Sequence, residues 1–156
     1  MRFVIRAEAG APPREAREIR RRVFVEEQGV AADEEWDEHD APGAATLHLV
    51  AYQAGRPVGC ARLRALGDAA KVERVAVLPD ARRHGLGRAL MEAVEQAARE
   101  RGHTSFVLHA QVAVIPFYER LGWRALGPEF DEAGIPHRKM EKREAPLSSP
   151  LASSTR

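Results

Sequence analysis

The segment "VLPDARRHGLGRAL", Val77 to Leu90, joins the end of a β-branched run to a glycine-bearing loop and then to the start of a helical pattern. The first turn of a helix carries backbone N–H groups without intrahelical partners and the positive end of the helix dipole, so such a junction suits an anion. Gly85 and Gly87 let a phosphate approach the backbone closely, and Arg82, Arg83 and Arg88 add charge that can reach phosphate oxygens. Two common phosphate readers do not fit. A nucleoside-triphosphate loop needs Lys followed by Ser or Thr after its last glycine, and here Arg88-Ala89 follows. A dinucleotide fingerprint needs Gly or Ala three residues after Gly87, where Leu90 stands.

A second chemical cluster is "DEEWDEHD", Asp33 to Asp40, with six acids around Trp36 and His39. One histidine among acids lacks the ligand set of a zinc site, and the glycine turn of a calcium loop is missing. No metal site is expected. The alternatives are a solvated acidic face, ion pairs with Arg20, Arg21 or Arg22, or one wall of a pocket for a cation. Glu26 and Glu27 in "VFVEEQG" extend the same acidic character, and Trp36 is expected to anchor the segment.

These groups need a scaffold. "RFVIRA" reads as a strand, and a helix follows from Pro13, with Ala16, Ile19 and Val23 on one face and Gly29 as its stop. "TLHLVAY" and "VGCARLR" read as a hairpin, and Lys71 to Pro79 as a third strand. The strongest helix follows the glycine loop, with Leu86, Leu90, Val94 and Ala97 in one stripe and Gly102 as its cap. "SFVLHA" is a strand, "IPFYERLG" a short helix, and "WRAL" and "PHRKMEK" the last strands. This order predicts an α/β domain over residues 1–142, a mixed sheet with helices on both faces, and a Ser/Ala/Pro-rich flexible tail over 143–156.

The chain has 156 residues, enough for one domain, and 44% of them are hydrophobic. Its 24 basic and 23 acidic residues leave no broad basic footprint, which argues against a nucleic-acid partner. Cys60 is the single cysteine, so no internal disulfide is possible. No apolar run approaches the ~18 residues of a membrane span, and a cytoplasmic protein is expected.

Arg82-x-x-Gly85-x-Gly87 after a strand ending "VAVLP" resembles the pyrophosphate loop of the GNAT superfamily of acyl-CoA-dependent N-acetyltransferases. "FVLHAQVAVIPFYERLGW" is similar to that superfamily's C-terminal motif, and the resemblance covers about residues 3–140. "VFVEEQGV", "EWDEHD" and "FDEAGIPHRKM" look closest to its ElaA-like subgroup. The resemblance implies a GNAT fold, with a mostly antiparallel splayed sheet whose strands at Lys71–Val77 and Thr104–Ala110 part to hold pantetheine. Acetyl-CoA would be the cosubstrate, with no metal and no covalent enzyme intermediate.

In that scheme Val75, Ala76 and Val77 flank pantetheine through their backbone. Arg82, Arg83, His84, Gly85, Leu86, Gly87 and Arg88 hold the pyrophosphate. Gln111 binds pantetheine or orients Tyr118, and Tyr118 protonates the leaving thiolate. Glu73 and His109 are alternative bases, Glu73 being placed on the side of Val75 and Val77 by strand alternation. Glu26, Glu27, Asp37, His39 and Asp40 would face a primary amine acceptor, of small-molecule or peptide origin, and Asp131 and His137 would belong to a structural loop or, failing that, to the rim.

The fold often forms a homodimer, and the sequence leaves the oligomeric state open. Glu35-x-Asp37-x-x-Asp40 after Arg20-x-x-x-Phe24 also resembles acyl-homoserine-lactone synthases, a rival reading, although the chain is shorter than those and its phosphate loop favours acyl-CoA. A non-catalytic acyl-CoA-binding module is the alternative from another class.

Overall fold

The structure, a computed structural model, describes residues 2–144. Apart from Arg143 and Glu144, the tail expected to be flexible lies outside the described residues. Seven strands form one sheet: β1 (Val4–Ala9), β2 (Thr46–Gln53), β3 (Arg56–Leu66), β4 (Ala69–Val77), β5 (Ser105–Gln111), β6 (Arg124–Glu132) and β7 (Ile135–Arg143). Their order is β1-β2-β3-β4-β5-β7-β6. Every neighbouring pair is antiparallel except β4 and β5, which are parallel. A parallel pair needs a crossover, and the helix α3 (Leu86–Glu100) provides it.

The helical periodicity read from the sequence places the two cores. On one face Leu86, Leu90, Val94 and Ala97 of α3 pack over Leu49, Leu63, Val72, Phe106 and Leu108. On the other face Ala16 and Ile19 of α1 (Arg14–Arg20), together with Val23, pack over Val50, Cys60, Ala76 and Leu78. Helices therefore cover both faces, as the α/β order predicts. The first helix does not run evenly to Gly29. After Arg20 it widens into a π-turn over Arg21–Glu27, with Gln28 N–H bonded to the Val23 carbonyl at 3.0 Å. A short helix α2 (Ala32–Glu35) and the six-residue α4 (Ile115–Arg120) complete the set.

Two irregularities of β4 matter for the site. First, β4 and β5 pair only at Ala70–Val72 with Phe106–Leu108, so beyond that point the strands part. Second, β4 carries a bulge. Cys60 pairs with Ala76 but Arg62 with Glu73, so three steps on β4 match two on β3. Arg74 takes up the extra residue with φ at +55°, a left-handed conformation costing a non-glycine residue ~1–2 kcal/mol. The bulge overturns the alternation expected from the sequence. Val75 and Val77 pack toward the α3 core, whereas Ala76 packs toward α1, and Glu73 bonds Arg62 on that second side.

Candidate active site

Past the bulge, Leu78 N–H bonds back to the Val58 carbonyl at 2.9 Å. By strand alternation the peptide groups of Val77 and Val75 then face the opposite way, into the gap toward β5. At the end of this gap, Arg83 and Gly85 both adopt left-handed backbone (φ +69° and +84°) and turn the chain into α3. Ala89 N–H makes the first backbone bond of that turn, to the Gly85 carbonyl at 3.1 Å, and no side chain caps it. Among the described residues the N–H groups of Leu86, Gly87 and Arg88 therefore have no partner at a helix start, which fits a pyrophosphate. Arg83 and His84 are exposed beside them, while the Leu86 side chain is buried in the core. Gly87 is needed for close packing, since a Cβ there would sit 3.0 Å from Cζ of Phe117.

Arg82 does something else. Its Nε donates to the Val77 carbonyl at 2.9 Å, and its two terminal nitrogens bond both carboxylate oxygens of Glu27 at 2.7 and 2.8 Å. A predicted phosphate ligand and a predicted acceptor ligand thus bind each other. Arg88 lies 3.9 Å from Glu92 on the outside of α3.

A cleft of about 400 Å³ opens where β4 and β5 part. It is lined by β4 residues Lys71 to Val75, β5 residues Leu108 to Gln111, Tyr118 from α4, and Phe24, Gln28 and Val30 around the π-turn. Tyr118 is only 7% exposed, with its ring edge-on to Phe117 and Trp123. Burial pushes its phenol above the ordinary range, so it stays protonated. Among the described residues its hydroxyl makes no hydrogen bond. Gln111 donates to Gln28 Oε1 at 2.8 Å, and both residues line the cleft.

The acidic stretch answers to arginines. Asp40 is buried and accepts from Arg20 at 2.7 and 2.9 Å and from Arg62 at 3.1 Å. Asp37 accepts from Arg62 at 2.7 and 2.9 Å and from Arg74 at 3.3 Å. Glu35 lies 2.8 Å from Arg20 and 3.1 Å from Arg74, and its carbonyl accepts from Arg74 at 3.0 Å. Burial pushes Asp40 and Asp37 up, but the guanidinium groups outweigh it and hold both below the usual carboxylate range. Glu26 pairs with Arg21 at the surface, and His39 lies 3.7 Å from Glu38. Of the five expected acceptor residues, only Asp37 lines the cleft. Trp36 anchors the segment under the guanidinium of Arg20, 4.6 Å from its ring centre. The acids thereby clamp the strained Arg74 and fix the bulge.

Glu73 lines the cleft but is surrounded by Arg62 (2.8 Å), Arg64 (2.8 Å) and Lys71 (3.2 Å). Burial raises its carboxyl, yet the Arg64 hydrogen bond and the charges of Arg62 and Lys71 bring it down to about 2. A carboxylate so stabilised is a weak base. His109 also lines the cleft, and its Nδ1 lies 2.9 Å from Oε1 of Glu132. Glu132 was not singled out from the sequence, although it lies inside "FDEAGIPHRKM". His137 lines the cleft and is buried, with Nδ1 2.7 Å from the Ile135 carbonyl. Cys60 is buried with its thiol pushed up to about 12, chiefly by desolvation, which does not suit a nucleophile.

Comparison with known proteins agrees with this geometry. The Acetyltransferase (GNAT) domain family matches residues 15–144. An uncharacterized N-acetyltransferase of Bacillus subtilis, YjcF, is 42% identical over 125 residues, 80% of this chain and 87% of its own. The crystal structure of an acyl-CoA N-acyltransferase from Pseudomonas aeruginosa is 30% identical and superposes with a TM-score of 0.79 over 90% of this chain and 99% of that one. Escherichia coli ElaA, 22% identical, shares the fold with a TM-score of 0.74 over 90% of this chain and 100% of its own. The chain belongs to the GNAT acetyltransferase family, whose members are acyl-CoA-dependent N-acyltransferases.

Proposed function

We propose that this chain transfers the acetyl group of acetyl-CoA to a primary amine by direct attack within a ternary complex. The observation that carries the reading is the parting of β4 from β5 between an uncapped helix start and the buried phenol of Tyr118. Bound acetyl-CoA would supply an activated thioester carbon and a thiolate leaving group. The first-turn N–H groups of α3, with Arg83, hold the pyrophosphate, and the outward peptide groups of Val75 and Val77 pair along pantetheine. A backbone N–H near Val75 steadies the oxyanion. Tyr118 gives its proton to the departing sulfur, a role that its protonated state supports. The amine meets the thioester from the side of Phe24, Gln28 and Asp37.

Isothermal titration with acetyl-CoA tests the reading. Micromolar binding is expected, weakened ~10-fold by Arg83→Ala, the loss of a charge-assisted phosphate contact. Thiol release with a panel of primary amines should follow, and be lost in Tyr118→Phe. Absence of binding would overturn the reading. Binding without turnover on any amine would replace it with an acyl-CoA-binding module.

A further inference from the structure

An amine can attack only after losing a proton, because an alkyl ammonium has a pKa near ~10. The acetyl-transfer reading above, on which this inference rests, leaves the acceptor of that proton open. We infer that Glu132 is a positioning residue that reaches across β7 to hold His109 as the base receiving the amine's proton.

The two residues are not on neighbouring strands. His109 is on β5 and Glu132 ends β6, with β7 between them in the sheet. The Glu132 side chain nevertheless spans β7, with Oε1 2.9 Å from His109 Nδ1 and Oε2 3.9 Å from His137 Nε2. Phe130 holds the same ring from a second direction, meeting His109 edge-on at 5.0 Å and stacking on His137 at 6.1 Å. His109 Nδ1 therefore carries a hydrogen toward the carboxylate, and Nε2 is the nitrogen left for the cleft that His109 lines.

The surrounding charges favour this assignment over Glu73. On β4, Lys71 and Glu73 line the same cleft, but Glu73 is already engaged by Arg62, Arg64 and Lys71. On β7, Lys139 is the register partner of His109, and His137 spends Nδ1 on the Ile135 carbonyl. Among the described residues Glu132 is the one carboxylate bonded to His109. The step balances without any added reagent. An ammonium N–H proton passes to His109 Nε2, and the imidazolium so formed is faced by the Glu132 carboxylate. The freed nitrogen lone pair forms the C–N bond, the C–S bond breaks and Tyr118 protonates the sulfur; the acylated nitrogen then gives up its second proton, through water, to restore the Tyr118 phenol, and His109 returns the first proton to water.

The test compares wild type, Glu132→Gln, Glu132→Asp and His109→Ala in acetyl-CoA assays with benzylamine and with O-methylhydroxylamine, which is unprotonated at neutral pH. In Glu132→Gln the benzylamine kcat should fall ~100-fold, and the O-methylhydroxylamine kcat less than ~3-fold, because only the first substrate needs the base. The acid limb of the benzylamine profile should move to lower pH, Glu132→Asp should recover most of the rate, and acetyl-CoA affinity should hold. Equal losses with both amines and an unmoved limb would make Glu132 a hairpin tether and overturn the inference. The ring ¹⁵N spectrum of wild-type protein decides independently of turnover. A His109 hydrogen on Nδ1 is expected, and one on Nε2 refutes the assignment. Wild-type protein that fails to bind acetyl-CoA, or that binds it and turns over no amine, would instead refute the transfer reading and with it this step.

Discussion

Asp40→Asn keeps the outline of a side chain on which two buried guanidinium groups converge and removes its charge. Arg20 and Arg62 are each 1% exposed, and Asp40 accepts three hydrogen bonds from them besides one from the Asp37 N–H. Stripping a buried cation of its partner costs ~3–5 kcal/mol when the cation is left alone. Here Arg20 retains Glu35, and Arg62 retains Asp37 and Glu73, so the loss should be about 2–3 kcal/mol. In a domain of this size each kcal/mol moves Tm by ~2–4 °C, which gives a fall of roughly 4–12 °C. Thermal unfolding followed by circular dichroism measures the fall. Acetyl transfer assayed well below both transitions should show an amine KM close to wild type. An unchanged Tm with a raised amine KM would refute the reasoning and return Asp40 to the substrate.

Acid should unfold the protein through the same cluster. Asp37, Asp40 and Glu73 have folded pKa values below their unfolded ones, so their stabilisation is present above about pH 4 and is lost as pH falls toward about 2, while Glu35, raised by burial, opposes them. The urea midpoint should therefore drop between about pH 5 and pH 3, and a flat midpoint would contradict the ion-pair assignment. Tyr118→Phe removes a hydroxyl that has no hydrogen-bond partner among the described residues, so Tm should stay within ~1 °C while kcat falls ~10²–10⁴-fold; a lower Tm with unchanged kcat would make Tyr118 a core residue. Gly87→Ala forces Phe117 to give way by a few tenths of an ångström beside Tyr118, and ~1–2 kcal/mol of stability should be lost in urea titration.

The scaffold was legible where one period governs an element. Leu86, Leu90, Val94 and Ala97 announce α3 because every third or fourth residue meets the sheet, and the "FYERLG" helix lies where its motif places it. The site was less legible because its details break local periods. Nothing in the alternation of "KVERVAV" reveals that Arg74 is an inserted residue, although two adjacent charged residues in a central strand are a faint mark of it. The partners of the acids stand far away in sequence: Asp40 meets Arg62 across 22 residues and Glu27 meets Arg82 across 55. Glu132 escapes notice because its partner is two strands away, a distance that only the sheet order defines.

The bond between Glu27 and Arg82 has an experimental consequence. It fastens the π-turn, on the side proposed for the amine, to the loop proposed for the phosphates, so in that reading the two substrate sites share one strut. A Glu27 variant would loosen Arg82 from the Val77 carbonyl and blur the edge proposed to pair with pantetheine. A kinetic screen that sorts residues by which Michaelis constant they raise would then file an acceptor-side residue under the cofactor.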